Sequence, residues 1–587
     1  MQIANFMYIL GLNIGHNATA CLLKDGKIVG CVSEERFSRI KNHSGVPFNS
    51  ISYLLNENKI FMEEIHFVVL DNHYSLTNIR DYGKHHLEWY TKKTFLRKNL
   101  FRIAYQYPRL FQRYHEIKSF FLRLTKNKKD LNKKKKISKV LNVPVQKIKI
   151  LDHHLAHVFS PCFNLNKKEK TLIFTLDGEG SGVCASLNVF DGKDITIISK
   201  SKKAASLGNL YAICTMFLGM KPLEHEFKVM GLAAYAKEKN IQKIYPKFEE
   251  LVWVDNSLRF NSKFDMALSD YWFFNEMKFQ RFDIIAGALQ KLVEERTCEW
   301  VEKAIKKTGI KNIALSGGVF MNVKANMKIS QLPDVKSIFV MPSCGDESNA
   351  IGCCLYGYHL YCKEKNINFN PIPIKDLYLG PEYNEEYVKN LIKEKNLEEK
   401  YIIKKEKDIN KEVARLLSKG EIVGRCTGKS EWGARALGNR SILADPSKPK
   451  VVQILNEAIK DRDFWMPFTP SILDKFEKKY IKNKKKIFSP YMAITFDSTE
   501  TAKKEIPAAM HPYDFTIRPQ VVTKDYNKDY YELIEDFRRL TGRGGILNTS
   551  FNLHGEPNIL TPEDALHTLE NSSLKYLAIN NYLFKKK

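Results

Sequence analysis

Residues 171–199 read TLIFTLDGEGSGVCASLNVFDGKDITIIS. An apolar run is closed by Asp177, a turn holds Gly178, Gly180 and Gly182, and further strand-like runs follow. Residues 8–37, YILGLNIGHNATACLLKDGKIVGCVSEERF, have the same design, with a Gly/Asn/His turn and a Lys24-Asp25-Gly26 hairpin turn. Two such hairpins predict a duplicated fold. Glycine turns between strands expose backbone N–H groups, which is how a loop can cradle phosphate. Plain tight turns use the same residues.

Further along, KNIALSGGVFMN (311–322) is a buried-type strand running into Ser316-Gly317-Gly318 and a helix-like segment. Actin/hexokinase-like ATPase folds place phosphate hairpins first and a strand–Gly-Gly–helix element against adenosine later. The order here matches. SIFVMPSCGDESNAIGCCLYGY (337–358) adds a strand, a polar turn with Asp346 and an Ala/Gly-rich helix; Asp346 would also serve as a helix N-cap. In LDHHLAHVFSP (151–161), His153 and His157 stand four apart, on one face of a helix. Such a pair can present two imidazole nitrogens to one metal ion, or be a surface or capping cluster.

Residues 362–382, with Pro371, Pro373 and Pro381, break the pattern. The expected organisation is a domain over 1–365, a linker over 366–380 and a second domain over 381–587. The second block is dense in arginine and glycine turns, as in GRCTGKSEWGARALGNRSILADPS (424–447). If convergent, Lys429, Arg435, Arg440, Lys460, Arg462 and Arg518 would form a polyanion pocket, because guanidinium forks match phosphate. Surface salt bridges are the alternative.

Composition bounds these readings. A chain of 587 residues exceeds one hydrophobic core. At 44% hydrophobic it is not of the disordered class, and no apolar run reaches membrane-span length. The start lacks a basic n-region and a cleavage site, so a cytoplasmic protein is expected. Eleven cysteines without a C-x-x-C argue for reduced thiols. The net charge of +27 would attract polyphosphate, but much of it sits in 126–139 and 478–488, read as solvated insertions. At most non-specific nucleic-acid binding is expected, and no membrane partner.

Ten ordered motifs, GHNAT, SEERFSRIK, DHHLAH, TLDGEG, HEFKVMGLAAY, LSGGVFMN, CGDESNAIG, EWGARALGNRSILADP, IKDRDFWMPFTPS and LNTSFNLHGEP, resemble the O-carbamoyltransferases that decorate nodulation factors, cephem and aminoglycoside antibiotics. The resemblance spans nearly the whole chain. It implies an α/β protein: a duplicated actin/hexokinase-like, threonylcarbamoyl-transferase-like N-terminal domain, then an α/β YrdC-like domain that forms carbamoyl adenylate.

The resemblance assigns one metal ion, usually iron, to His153, His157 and Asp346, with ATP and its Mg2+ as further cofactors. Catalytic parts fall to His16, Asp177, Lys460, Arg518 and Ser550, with Asp177 positioning the acceptor or serving as base. Nucleotide and anion binding falls to Gly178, Gly180, Gly317, Gly318, Asn322, Lys429, Arg435, Arg440, Arg462, Asn548 and Asn552. Carbamoyl phosphate and ATP would give carbamoyl adenylate in the second domain. The carbamoyl group would then pass to a hydroxyl of a small-molecule acceptor at the metal, releasing AMP. A homodimer is compatible with this reading.

Three departures from the family pattern stand out: Asn17 replaces the usual Asp, Ala434 the usual Pro, and HPYDFTIR is one residue longer. The runner-up is a tRNA threonylcarbamoyl-transferring enzyme, which the net charge favours and EERFSRIK disfavours. An ATP-binding regulator would not need the arginine-rich second domain. Hydrogenase-maturation carbamoyltransferases would add cysteine zinc fingers, which this sequence lacks.

Overall fold

The computed structural model describes residues 6–72, 106–107, 126–460 and 463–587. They fall into two compact units: Met1–Glu34 with Asn42–Ile374, and Glu35–Lys41 with Lys375–Lys587.

The first unit contains one sheet design twice. Strands β1 (Tyr8–Asn13), β2 (Thr19–Lys24), β3 (Lys27–Ser33), β4 (Ile65–Asp71) and β5 (Ile148–Leu151) lie in the order β3-β2-β1-β4-β5. The first three are antiparallel, and β1, β4 and β5 run parallel. Strands β6 (Thr171–Gly180), β7 (Val183–Phe190) and β8 (Ile195–Lys202) are followed by a short hairpin of β9 (Val252–Val254) and β10 (Phe260–Ser262). With β11 (Asn312–Ser316) and β12 (Ser337–Val340) they form a second sheet, β8-β7-β6-β11-β12, with the same senses of pairing. This is the duplicated, actin/hexokinase-like α/β fold that the glycine hairpins predicted.

Local chemistry explains the elements. All six residues of β1 are buried, as in a strand covered on both faces. At the β2–β3 turn, Asp25 (φ +46°) and Gly26 (φ +80°) are both left-handed, the requirement of a two-residue hairpin turn that follows strand twist. The lysine-rich run 126–139 is not a solvated insertion. It forms the helix Lys126–Leu141, which packs Ile137 and Leu141 into the core with Leu10 and Val68. Among the described residues no helix is long and apolar enough to cross a membrane.

In the second unit, eight strands lie in the order β13-β22-β21-β14-β15-β20-β16-β19. They are β13 (Tyr401–Lys405), β14 (Val423–Cys426), β15 (Arg440–Ala444), β16 (Thr469–Leu473), β19 (Gln520–Val522), β20 (Gly545–Ser550), β21 (Tyr576–Ile579) and β22 (Tyr582–Lys586). A ribbon of β17 (Phe496–Asp497) and β18 (Thr516–Ile517) stands apart. Strand alternation splits the core: Ile442 packs with Leu547 and Leu577 on one face, its neighbour Leu443 with Leu473 and Phe537 on the other. The second lysine run, 478–488, also contributes to a core, burying Tyr480 and Ile481 with Ile494 and Ile517.

The short segment Glu35–Lys41 is part of this second unit, although sequence order puts it inside the first. Arg36 is buried and donates to the carbonyls of Gly433 (2.7 Å) and Ile559 (3.4 Å). Arg39 donates to the carbonyls of Asn558 (2.8 Å) and Pro557 (3.0 Å) and pairs with Glu556 (3.3 Å) and Asp564 (3.5 Å). Removing a buried, hydrogen-bonded guanidinium leaves its partners unsatisfied, at a cost of about 2–4 kcal/mol. Arg36→Ala should lower stability to urea by that amount, and a loss below about 0.5 kcal/mol would show that the guanidinium does not hold the segment.

Candidate metal centre

After β5, Asp152 caps the helix His153–Phe159 by accepting from the Leu155 amide (3.2 Å). One helical turn sets His153 and His157 side by side, ring centroids 4.8 Å apart, both fully buried. β6 loses its register with β7 between Leu176 and Gly180, and there Asp177 turns its carboxylate to the imidazoles. Its Oδ2 is 2.9 Å from His157 Nε2 and 3.4 Å from His153 Nε2. Asp346 begins the turn Asp346–Ser348 ahead of the helix Asn349–Lys365, with Oδ1 3.6 Å from His153 Nε2 and 3.5 Å from His157 Nε2. One ligand atom from each of the four residues lies within 4.8 Å of the others. Two imidazoles and two carboxylates are a donor set that divalent transition metals accept.

The electrostatics suit a shared cation. Burial would lower both histidines, but the carboxylates outweigh it: Asp71, Asp346 and Asp177 hold His153 well above its ordinary range, and Asp177 and Asp346 raise His157. Burial would raise Asp177, yet its hydrogen bonds to the two imidazoles carry it well below the carboxylate range. Asp346 is pushed up to about 6, by burial first and by the charge of Asp177. His154 is different. Desolvation lowers it to about 3, and its nitrogens are taken by Thr175 Oγ1 (2.8 Å) and the Val183 carbonyl (2.9 Å). It is a neutral structural histidine.

Glycines expected at phosphate also make room for this cluster. A Cβ on Gly180 would stand 1.9 Å from His153 Cδ2, and one on Gly318 would stand 3.0 Å from Asp177 Oδ1. Gly178 donates its amide to Asp177 Oδ1 (2.6 Å), and Gly317 precedes Gly318 at φ +102°. Asn322 caps the helix Val323–Gln331 and bonds Gln290 (3.0 Å). His16 lies in the β1–β2 turn, its carbonyl accepting from Asn13 (2.6 Å). Asn17, where the resemblance leads one to expect Asp, is left-handed (φ +57°) and donates to Glu347 (3.3 Å), a bond that a carboxylate would not make.

In the second unit Ser550 pairs with Ser441, so Asn548 and Ser550 of β20 lie beside β15. Arg440 departs from the expected anion pocket. Its guanidinium donates to the carbonyls of Leu560 (2.9 Å), Thr427 (2.7 Å), Asn439 (3.1 Å), Pro381 (3.3 Å) and Gly428 (3.1 Å), so it is a structural crosslink between loops. Asn548 donates to the Ala436 carbonyl (3.1 Å) and Ser471 (3.0 Å), and Asn552 to the Glu556 carbonyl (2.9 Å). Lys429 is exposed, Arg435 half-buried, and Arg518 half-buried just before β19. Lys460 ends the π-helical turn Asn456–Lys460, and Arg462 lies outside the described residues. The resemblance gave Asp177 to the acceptor, as positioning group or base. Its place among the imidazoles had one signal, the strand-ending Asp before a glycine turn.

Fold and site together define a two-unit α/β protein with a histidine–carboxylate cluster where the strands of the duplicated sheet end. The chain belongs to the carbamoyltransferase family: the family's N-terminal model matches residues 8–355 and its C-terminal model residues 414–586. An uncharacterised protein of Methanocaldococcus jannaschii is 31% identical, covering 98% of this chain and 99% of its own. Nodulation protein NolNO of Sinorhizobium fredii is 28% identical, covering 97% of this chain and 79% of its own. Among solved structures, full-length HypF in its phosphate- and nucleotide-bound form aligns at 14% identity and TM-score 0.32, over 61% of this chain and 56% of that one.

The Gly180 contact yields a direct test. Gly180→Ala drives a methyl group into the His153 ring and should cost about 1–3 kcal/mol with displacement of the ring's NMR signals. Gly182→Ala meets nothing within 4 Å but sits at φ +82°; it should cost about 1 kcal/mol through its backbone alone and leave those signals in place. Equal effects would remove the packing role of Gly180.

Proposed function

We propose that this protein is an O-carbamoyltransferase whose two units divide the reaction. The second unit, 381–587 with the segment Glu35–Lys41, makes carbamoyl adenylate from carbamoyl phosphate and ATP with loss of pyrophosphate. The first unit, 1–365, passes the carbamoyl group to a hydroxyl of a small molecule, a sugar or secondary metabolite, and releases AMP. The observation that carries this reading is the convergence of His153, His157, Asp177 and Asp346 from three separate segments.

The donor set fits a divalent transition metal, iron above all, held by the two Nε2 atoms and the two carboxylates. When bound, such an ion supplies a Lewis acid for a carbonyl or phosphoryl oxygen. The protein's own residues do the rest. Asp177 is committed to the imidazoles through Oδ2 and to the Gly178 amide through Oδ1, so it acts in the ligand group in preference to a free base. Burial of both histidines keeps water from a labile mixed anhydride. In the second unit, Lys460, Arg518 and Ser550 would hold the anions.

Three outcomes follow from this reading. The purified protein should carry about one divalent ion per chain, lost in His157→Ala; full occupancy in both His153→Ala and His157→Ala would defeat the metal assignment. With carbamoyl phosphate, ATP and a hydroxylated acceptor, the product should gain one carbamoyl group. Pyrophosphate exchange into ATP should vanish in Arg518→Ala and persist in His157→Ala, and unimpaired exchange in Arg518→Ala would take that residue out of the anion site.

The pH dependence has a definite sign. The raised histidines favour the protonated cluster and contribute ion-pair stability at low pH, lost as pH rises through their raised values; a ligated imidazole must instead give up its proton. The gain in Tm on adding the ion should therefore grow as pH rises above the ordinary histidine range and through the raised values of the two imidazoles. A gain independent of pH would mean that the histidines are not ligands.

A further inference from the structure

β4 ends at Asp71, which is fully buried beneath the histidine cluster. Its Oδ2 lies 2.9 Å from His153 Nδ1, with both side chains inaccessible to solvent, and accepts from Asn349 Nδ2 at 3.0 Å. Behind it stands Lys133, a member of the lysine run. Unlike its exposed neighbours Leu131, Asn132, Lys135 and Lys136, it is buried, and it donates to the Asp71 carbonyl (3.5 Å) and to Asn72 Oδ1 (3.4 Å). Burying a carboxylate and an ammonium is costly, and packed apolar residues would stabilise the fold at least as well. The arrangement therefore asks for a purpose beyond stability.

The two ring nitrogens of His153 face different surroundings. Nε2 looks toward Asp177 and Asp346, at 3.4 and 3.6 Å, and Nδ1 looks toward Asp71 and Asn349, at 2.9 and 3.3 Å. A neutral imidazole carries one proton, and a carboxylate at one nitrogen keeps it there, leaving the lone pair of the other for a ligand bond. His157 is backed differently: among the described residues its Nδ1 meets the hydroxyls of Ser316 and Ser348, each at 3.4 Å, in place of a carboxylate. We propose that Asp71 is a positioning residue that holds the proton of His153 on Nδ1 and aims Nε2 into the ligand group, and that Lys133 anchors Asp71 from behind. This inference rests on the reading of the four-residue cluster as a metal site. It makes His153 the more strongly oriented of the two imidazoles, and it gives position 133 of the lysine run a task that no exposed lysine could perform.

The test uses the full chain and cobalt(II) as the probe, with affinity measured by competition against a chelator. Asp71→Asn should weaken cobalt binding by about 10- to 100-fold, the usual effect of losing a carboxylate behind a ligating histidine. Lys133→Met should weaken it less, Lys133→Arg should recover part of that loss, and Asp71→Asn with Lys133→Met should be no weaker than Asp71→Asn alone. In wild-type protein carrying isotope-labelled histidine, NMR at a pH above the raised value of His153, where the cobalt-free ring is neutral, should find its proton on Nδ1, and in Lys133→Met that preference should fall. If Asp71→Asn does not fold, the Lys133 variants and the wild-type proton position decide. Wild-type affinity in folded Asp71→Asn, or in Lys133→Met with an unchanged proton position, would overturn the proposal. Should wild type and His157→Ala bind cobalt equally well, the metal reading falls and this one with it; a His157-dependent site that ignores Asp71 removes only this one.

Discussion

Where the helix Asn349–Lys365 passes the helix His153–Phe159, Gly352 comes so near that a Cβ there would stand 1.9 Å from the Ala156 carbonyl oxygen. That contact fixes the cluster. The first helix follows the turn carrying Asp346, the second carries both histidines, and any side chain at position 352 would force them apart. The same long helix approaches β1 just as closely, since a Cβ on Gly11 would lie 2.1 Å from the Ala350 carbonyl oxygen. A close-packed interior has no slack to absorb such groups, so the small residues along this line determine where the ligand atoms fall. The cluster is a consequence of helix packing, with Asp177 added from β6.

Much of this was legible in the sequence because it is written in local rules. Apolar runs punctuated by Asp-Gly and Ser-Gly turns announce the paired hairpins, and the spacing of His153 and His157 announces a shared helical face. Asp346, 189 residues beyond His157 in the numbering, could be joined to them only through the resemblance to the family. Non-local partnerships are what single-sequence reasoning misses. Asp71 closes an apolar strand, with nothing nearby in the chain to mark it as the partner of a histidine 82 positions away.

The lysine and arginine runs were legible in composition but not in role. Runs of charge ordinarily mean solvated surface, yet Lys133 is buried and Ile137 reaches the core, because a helix can turn one stripe inward while its other faces stay wet. Arg440 gives the converse lesson. A guanidinium beside glycine turns suggests phosphate, but five carbonyls from four loops and strands take up its donors. Arg36 and Arg39, read only as part of a family motif, serve the second unit in the same way, as crosslinks to backbone carbonyls and acidic side chains.

The central claim is that four side chains from three segments of a duplicated ATPase-like unit form one divalent-metal site in a carbamoyltransferase. X-ray diffraction at the absorption edge of iron, on crystals of the iron-loaded protein, tests it most directly. The account predicts a single anomalous peak among His153, His157, Asp177 and Asp346, within bonding distance of both Nε2 atoms. An iron peak elsewhere in the chain, with these four side chains still bonded to one another, would contradict it.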